Sequence, residues 1–172
     1  QKAIITYRDD GNNQYGTCIV GTVSGTSISF GSPTVFESAT IFHTSTTYDV
    51  NAQKVVIAYR DSGNSNYGTA IVGTVSGTSI SFGSPVVFNS GTTVNTSTAY
   101  DANAQKVVIA YKDSGNLSYG TVIVGTVSGT SISFGSEVVF NSTNTGQHAI
   151  VYDSNSNKIV IGYTSTSNRS VI

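Results

Sequence analysis

The chain has 172 residues, with eight Lys and Arg against nine Asp and Glu, a net charge of −1 and a charged fraction of 10%, where globular proteins carry about 25%. That balance leaves no basic field for a phosphate backbone and no polybasic patch for anionic lipid, and no apolar run approaches the roughly 18 residues of a membrane span, so nucleic acid and membrane insertion are excluded as expectations. The single cysteine, Cys18, excludes an intrachain disulfide and a thiolate zinc site.

The length suits one domain, and a chain that opens at Gln1 with no Met is expected to be a processed form or a piece of something longer. Gln1-Lys2, Gln53-Lys54, Gln105-Lys106 and Asn157-Lys158 follow one another at 52-residue intervals. Domain 1–172 therefore divides into repeats 1–52, 53–104 and 105–156 and a partial fourth, 157–172. A period near 50 belongs to solenoids and propellers.

Within the second repeat, KVVIAYRD (54–61) is β-branched, aromatic and bounded by turn residues, which predicts a strand. GTAIVGTVSG (68–77) and ISFGSPVVF (80–88) are the second and third predicted strands, joined by a tight Ser-Gly-Thr-Ser turn. TVNTSTAYD (93–101) is the fourth, and it leads through Ala-Asn-Ala-Gln into the next repeat. No segment carries a sustained 3.6-residue apolar period, so helices are not expected.

Four antiparallel strands in about 50 residues describe one blade of a β-propeller, whereas a solenoid coil needs shorter rungs and a sandwich needs no fixed period. The expected fold class is all-β, with three full blades and a partial fourth. Three blades cannot close a ring and hide its edge strands. Closure is expected by strand exchange, with residues 145–153 joining the first repeat's strands in the same chain or a neighbour, by further repeats in a longer natural chain, or by oligomerisation into a ring or filament.

Taken in blade order, TAYDANAQ (98–105) and KVVIAYRDSGNSNYGTAIVGTVSGTSISFGSPVVF (54–88) together resemble a blade of the sialidase-like, Asp-box-like propellers. The pattern is also similar to repeat arrays of phage tail-fibre and other extracellular bacterial proteins. The resemblance covers all three repeats and implies a propeller at the cell exterior or virion surface. The Asp-box turn of that class carries an Asp and a Trp; here it reads SGTSISFG, with Ser and Phe82 in their places and no Trp in the chain.

With TSTAYD innermost, the loops RDDGNNQY (8–15), RDSGNSNY (60–67) and KDSGNLSY (112–119) share one face. Each offers a cation, Asp, Asn and Tyr, a set that hydrogen-bonds sugar hydroxyls and stacks on a pyranose. The candidate ligand-binding residues are Arg8, Asp9 and Tyr15, then Arg60, Asp61, Asn64 and Tyr67, then Lys112, Asp113, Asn116 and Tyr119. A plainer reading makes Arg-Asp a capping pair for the turn and Tyr59 and Tyr67 packing residues. The drifting segments ESATIFH (37–43), NSGTTVN (89–95) and NSTNTGQ (141–147) are expected to be loops on that same face.

No enzyme is expected. Asp9, Asp61 and Asp113 are near-symmetric copies, which gives similar pKa values where a glycosidase needs them pushed apart. A sialidase-like arginine triad is also missing, because Lys112 stands where the third arginine would be. His43 aligns with Asn95 and Gln147, whereas His148 aligns with Thr44 and Thr96. Two such histidines make no metal cluster, and no metal or cofactor is expected. Two functions remain. One is multivalent glycan binding or adhesion by an extracellular propeller; the other is a structural subunit that self-assembles by strand pairing into a fibre. A sialidase-like glycosidase is the third and weakest.

Overall fold

The computed structural model describes residues 1–165 and the backbone of a short strand at Arg169–Val171. Fourteen strands form one antiparallel sheet, and among the described residues no α-helix interrupts it. In chain order the strands open with β1 (Lys2–Asp9), β2 (Tyr15–Ser24), β3 (Ser27–Phe30) and β4 (Thr34–Asp49). Next come β5 (Lys54–Asp61), β6 (Tyr67–Ser76), β7 (Ser79–Phe82) and β8 (Val86–Asp101). They are followed by β9 (Lys106–Asp113), β10 (Tyr119–Ser128), β11 (Ser131–Phe134) and β12 (Val138–Asp153), then β13 (Lys158–Ser165) and β14 (Arg169–Val171).

The sheet runs β1-β2-β4-β5-β6-β8-β9-β10-β12-β13-β14, with β3, β7 and β11 branching from β2, β6 and β10. It is open, with β1 and β14 at its two ends. Closure by strand exchange within the chain does not occur, because residues 145–153 lie in β12 and pair with β13, Ile150 facing Ile161.

The third and fourth predicted strands are redrawn. The break falls earlier, at Gly83–Pro85, and the chain from Val86 to Asp101 is one 16-residue strand. The same break falls at 135–137, where Glu137 replaces the proline, so it does not depend on proline; common to all three is the glycine N–H bonding back to the preceding long hairpin, Gly31 to Val20, Gly83 to Val72 and Gly135 to Val124, at 2.9, 2.9 and 3.0 Å. The segments 37–43, 89–95 and 141–147 are therefore no loops; they lie inside β4, β8 and β12. Each long strand changes partner as it goes. β8 pairs first with β6, Val86 opposite Ala70, and then with β9, Asp101 opposite Lys106. The switch is a bulge held by local bonds: the Asn89 side-chain oxygen accepts from Gly91 N–H at 2.7 Å, and its amide donates to Thr93 Oγ1 at 3.1 Å.

The run KVVIAY is apolar on successive residues because β5 is buried on both faces. Val55, Ile57 and Tyr59 pack with Cys18, Val20, Phe36 and Ile71 in one core cluster. Val56 and Ala58 turn the other way and pack with Val107, Ile109, Tyr111 and Phe88 in a second. Consecutive groups of strands thus stack face to face, and each fully buried Val or Ile contributes roughly 1.5–3 kcal/mol.

That stacking explains the near-identity of 15–32, 67–84 and 119–136. A Cβ on Gly16, Gly68 or Gly120 would stand 2.5–2.6 Å from the ring of Phe36, Phe88 or Phe140. Those rings in turn pack on Tyr59, Tyr111 and Tyr163 at 5.3, 5.1 and 5.2 Å between centroids. A Cβ on Gly31 or Gly83 would collide with the backbone of Thr78 or Thr130 in the next group. Cys18 is fully buried, as its counterpart Ala70 is, and burial pushes its thiol up to about 11.

Candidate functional site

The turn after β5 is shaped by its aspartate. Asp61 Oδ1 accepts the N–H groups of Gly63 and Asn64 at 2.9 and 3.2 Å and caps a single 3₁₀ turn, Ser62–Asn64. Asp113 does the same for Gly115 and Asn116 at 2.9 and 3.2 Å, and Asp9 accepts from Gly11 at 3.1 Å. Asp61 and Asp113 are 7% and 5% exposed, and one oxygen of each carboxylate is engaged by its turn. Two left-handed residues close each turn: Asn13 and Gln14, Ser65 and Asn66, Leu117 and Ser118.

Among the other expected residues, Asn64 and Asn116 are exposed at the turn tips. Tyr15, Tyr67 and Tyr119 are half-buried, each opposite its turn's aspartate in the ladder. The cations come out differently. Arg8 and Arg60 both stack on the ring of Phe42, at 4.8 and 4.3 Å from its centroid. Arg8 also bonds Asp10 at 2.8 Å, whereas the buried Nε of Arg60 has no hydrogen-bond partner. Lys112 lies half-buried opposite Val94, the residue that aligns with Phe42.

Beside these cations the long strands bulge, and the bulges meet. His43 and Asn95 hold left-handed backbone at φ 51° and 55°, a conformation that Asn and His tolerate better than most residues. Most side-chain bonds between neighbouring long strands join residues 53 apart, one more than the sequence period, and the Asn95–Gly146 bond joins residues 51 apart. Thr96 Oγ1 donates to the His43 carbonyl, and the Asn95 amide donates to the Gly146 carbonyl at 3.1 Å. His148 Nδ1 lies 3.1 Å from the Asn95 carbonyl and Nε2 3.2 Å from Thr145 Oγ1. A carbonyl only accepts, so Nδ1 carries the proton and Nε2 accepts from the threonine.

The extra residue of stagger brings two unaligned histidines onto one cavity of about 180 Å³, lined by His43, Asn95, Thr96, Gln147 and His148. Burial, with the nearby charge of Arg60 for His43 and of Lys112 for His148, holds both imidazoles below their ordinary range, so both are neutral at pH 7. No Asp or Glu lines the cavity, and no group of three or more metal-ligating side chains occurs among the described residues. At about 30 Å³ per water the space corresponds to about six waters.

Two tyrosine–carboxylate pairs lie elsewhere, Tyr59 to Glu37 at 3.0 Å and Tyr111 to Glu137 at 2.8 Å. Both tyrosines are fully buried in the clusters, and burial raises their pKa values, so neither meets a substrate as a nucleophile. The cavity is not legible at the 52-residue alignment, which keeps His43 and His148 at different positions of the repeat. The signal present in the sequence is position 43 and its copy 95, occupied by His and Asn. Compared with known proteins, the chain matches no family model and no curated relative.

Proposed function

We propose that this chain is a non-catalytic β-propeller module of the extracellular or virion surface that binds glycans multivalently. Stacked, doubly buried strand groups support the propeller reading, since blades pack face to face around an axis. The observation that carries the binding reading is the polar cavity where the bulges of β4, β8 and β12 meet, flanked by Arg60 and Lys112 and free of carboxylates. Neutral imidazoles, amides and a threonine hydroxyl are donors and acceptors for sugar hydroxyls, and the cations suit an acidic sugar. The contacts of β4 with β8 and of β8 with β12 converge on this one cavity, so in this reading avidity comes from several copies of the module acting together.

Binding of the intact protein to a glycan array, weakened by Arg60→Ala and by His148→Ala, is the expected result. No binding to any sugar, with cell attachment unchanged in both variants, overturns it. A structural reading, in which copies join into a fibre, is favoured by the open sheet. Light scattering separates the two readings, since a fibre subunit grows with concentration while a closed binding module holds a fixed mass.

A further inference from the structure

The two histidines of the polar cavity are tied into it unequally. Both ring nitrogens of His148 are engaged, Nδ1 by the Asn95 carbonyl at 3.1 Å and Nε2 by Thr145 Oγ1 at 3.2 Å, and its ring stands edge-on to Phe140 at 5.8 Å between centroids. His148 thus holds β12 against β8 and offers no ring nitrogen to a ligand. His43 is the opposite case. Its backbone carbonyl is taken by Thr96 Oγ1 and its ring lies 6.3 Å from that of Phe42, but among the described residues no hydrogen bond engages either ring nitrogen. The side-chain amide of Gln147, exposed on the same cavity, is equally unengaged among the described residues.

The charges around His43 do not balance. Arg8 and Arg60 both stack on the Phe42 ring, yet Arg8 is paired with Asp10 while Arg60 has no ion-pair partner among the described residues. Of the acids on β4 and β5, Glu37 accepts the Tyr59 hydroxyl, and Asp61 has one oxygen in its own turn. β8 and β12 bring Asn95, Thr96, Gln147 and His148 to the cavity, and β9 adds the charge of Lys112 near His148. An unpaired guanidinium beside an unengaged imidazole is complementary to one anion.

We infer that His43 makes this site selective for acidic sugars and couples it to pH: a sugar carboxylate is received by Arg60 and His43 together, and His43 takes up a proton from solvent as the sugar binds. The imidazolium donates from both ring nitrogens where the neutral ring donates from one. In the free protein burial and the charge of Arg60 oppose that protonation. A bound carboxylate favours it, so the complex holds a proton that the free protein does not, and affinity rises as pH falls into the imidazole range. The inference rests on the cavity being the sugar site proposed above.

The test titrates the whole protein with methyl glucuronide and with methyl glucoside, the same ring without the carboxylate, following the imidazole proton signals by NMR. The chain has two histidines, and His43→Asn assigns their signals without disturbing the bulge, since asparagine holds the same left-handed backbone at position 95. The glucuronide should bind about threefold to tenfold tighter at about pH 5.5 than at about pH 7.5, which corresponds to an imidazole pKa raised by about half to one unit. It should raise the titration midpoint of His43 and leave that of His148 in place, while glucoside binding stays independent of pH. Arg60→Gln should lose most of the preference for the glucuronide. Equal glucuronide affinity at both pH values, an unmoved His43 midpoint in a saturated sample, or a shift of His148 in its place overturns the inference. Glucuronide and glucoside binding alike overturns it too and leaves the glycan reading standing, whereas no binding of either sugar, with an empty glycan array, overturns both.

Discussion

Replacing Gly68 by alanine isolates the contact that makes one stretch of the chain nearly invariant. Gly68 is not in left-handed backbone, so the only objection to a side chain is space. Its Cβ would stand 2.5 Å from Phe88 Cε2 and 2.6 Å from Thr93 Oγ1. Phe88 and Thr93 are 6% and 0% exposed, so neither swings aside. Overpacking of this kind costs about 1–3 kcal/mol, with the upper half applying where two buried side chains are struck at once, as here in β8. Against it stands a gain of about 0.4–1 kcal/mol from the stiffer unfolded chain. The net loss is then about 1–2.5 kcal/mol, or a fall in Tm of about 2–10 °C for a chain of this length.

Urea denaturation of Gly68→Ala and Gly68→Asn, beside the same pair at Gly77, decides the matter. Gly77 has φ 61° and nothing within 4 Å of where a Cβ would stand, so there the cost is backbone conformation alone. Asn tolerates that conformation and Ala does not, so Gly77→Asn is milder than Gly77→Ala. At Gly68 the order reverses, because Asn is the larger. A neutral or stabilising Gly68→Ala, or the same order at both positions, refutes the packing argument.

Asp61→Ala should lose about 0.5–2 kcal/mol of stability as a lost cap while Asp61→Asn keeps most of it, measured by urea midpoints; altered ligand attachment at unchanged stability contradicts the capping role. Cys18, buried and with its thiol pushed up to about 11, should react with a thiol reagent only at the rate of unfolding, and Cys18→Ala should fold; immediate labelling of the native protein contradicts this. Burial raises the Glu37 carboxyl, while the Tyr59 hydroxyl bond opposes the rise. The folded protein thus holds that proton more tightly than the unfolded chain, and stability declines as pH climbs from the ordinary carboxylate range through the raised value. Tyr59→Phe removes the opposing bond, so the decline in its urea midpoint as pH climbs above the ordinary carboxylate range should grow; an unchanged decline contradicts the Glu37 assignment.

KVVIAYRD and YGTAIVGTVS form strands at nearly the expected bounds because their apolar content and turn residues are local properties. The Ser-Gly-Thr turns likewise follow from Gly25, Gly77 and Gly129 at positive φ. The capping bonds of Asp61 to the Gly63 and Asn64 N–H groups appear only in the folded turn, because the sequence alone allows its carboxylate either to cap or to bind.

What the sequence determined alone is the all-β content, the first two strands of each repeat and the tight Ser-Gly-Thr turns, since β-propensity and glycine backbone freedom are written residue by residue. Tertiary structure decided the rest. Whether 89–95 leaves the sheet as a loop or bends within it depends on β6 and β9 both being present to pair with β8. The one-residue stagger that carries His148 to Asn95 and onto the cavity shared with His43 arises only when neighbouring long strands pack side by side. A repeat read along the chain aligns residues at 52; at the cavity the folded strands join residues 53 and 51 apart, and the candidate site lies in that difference.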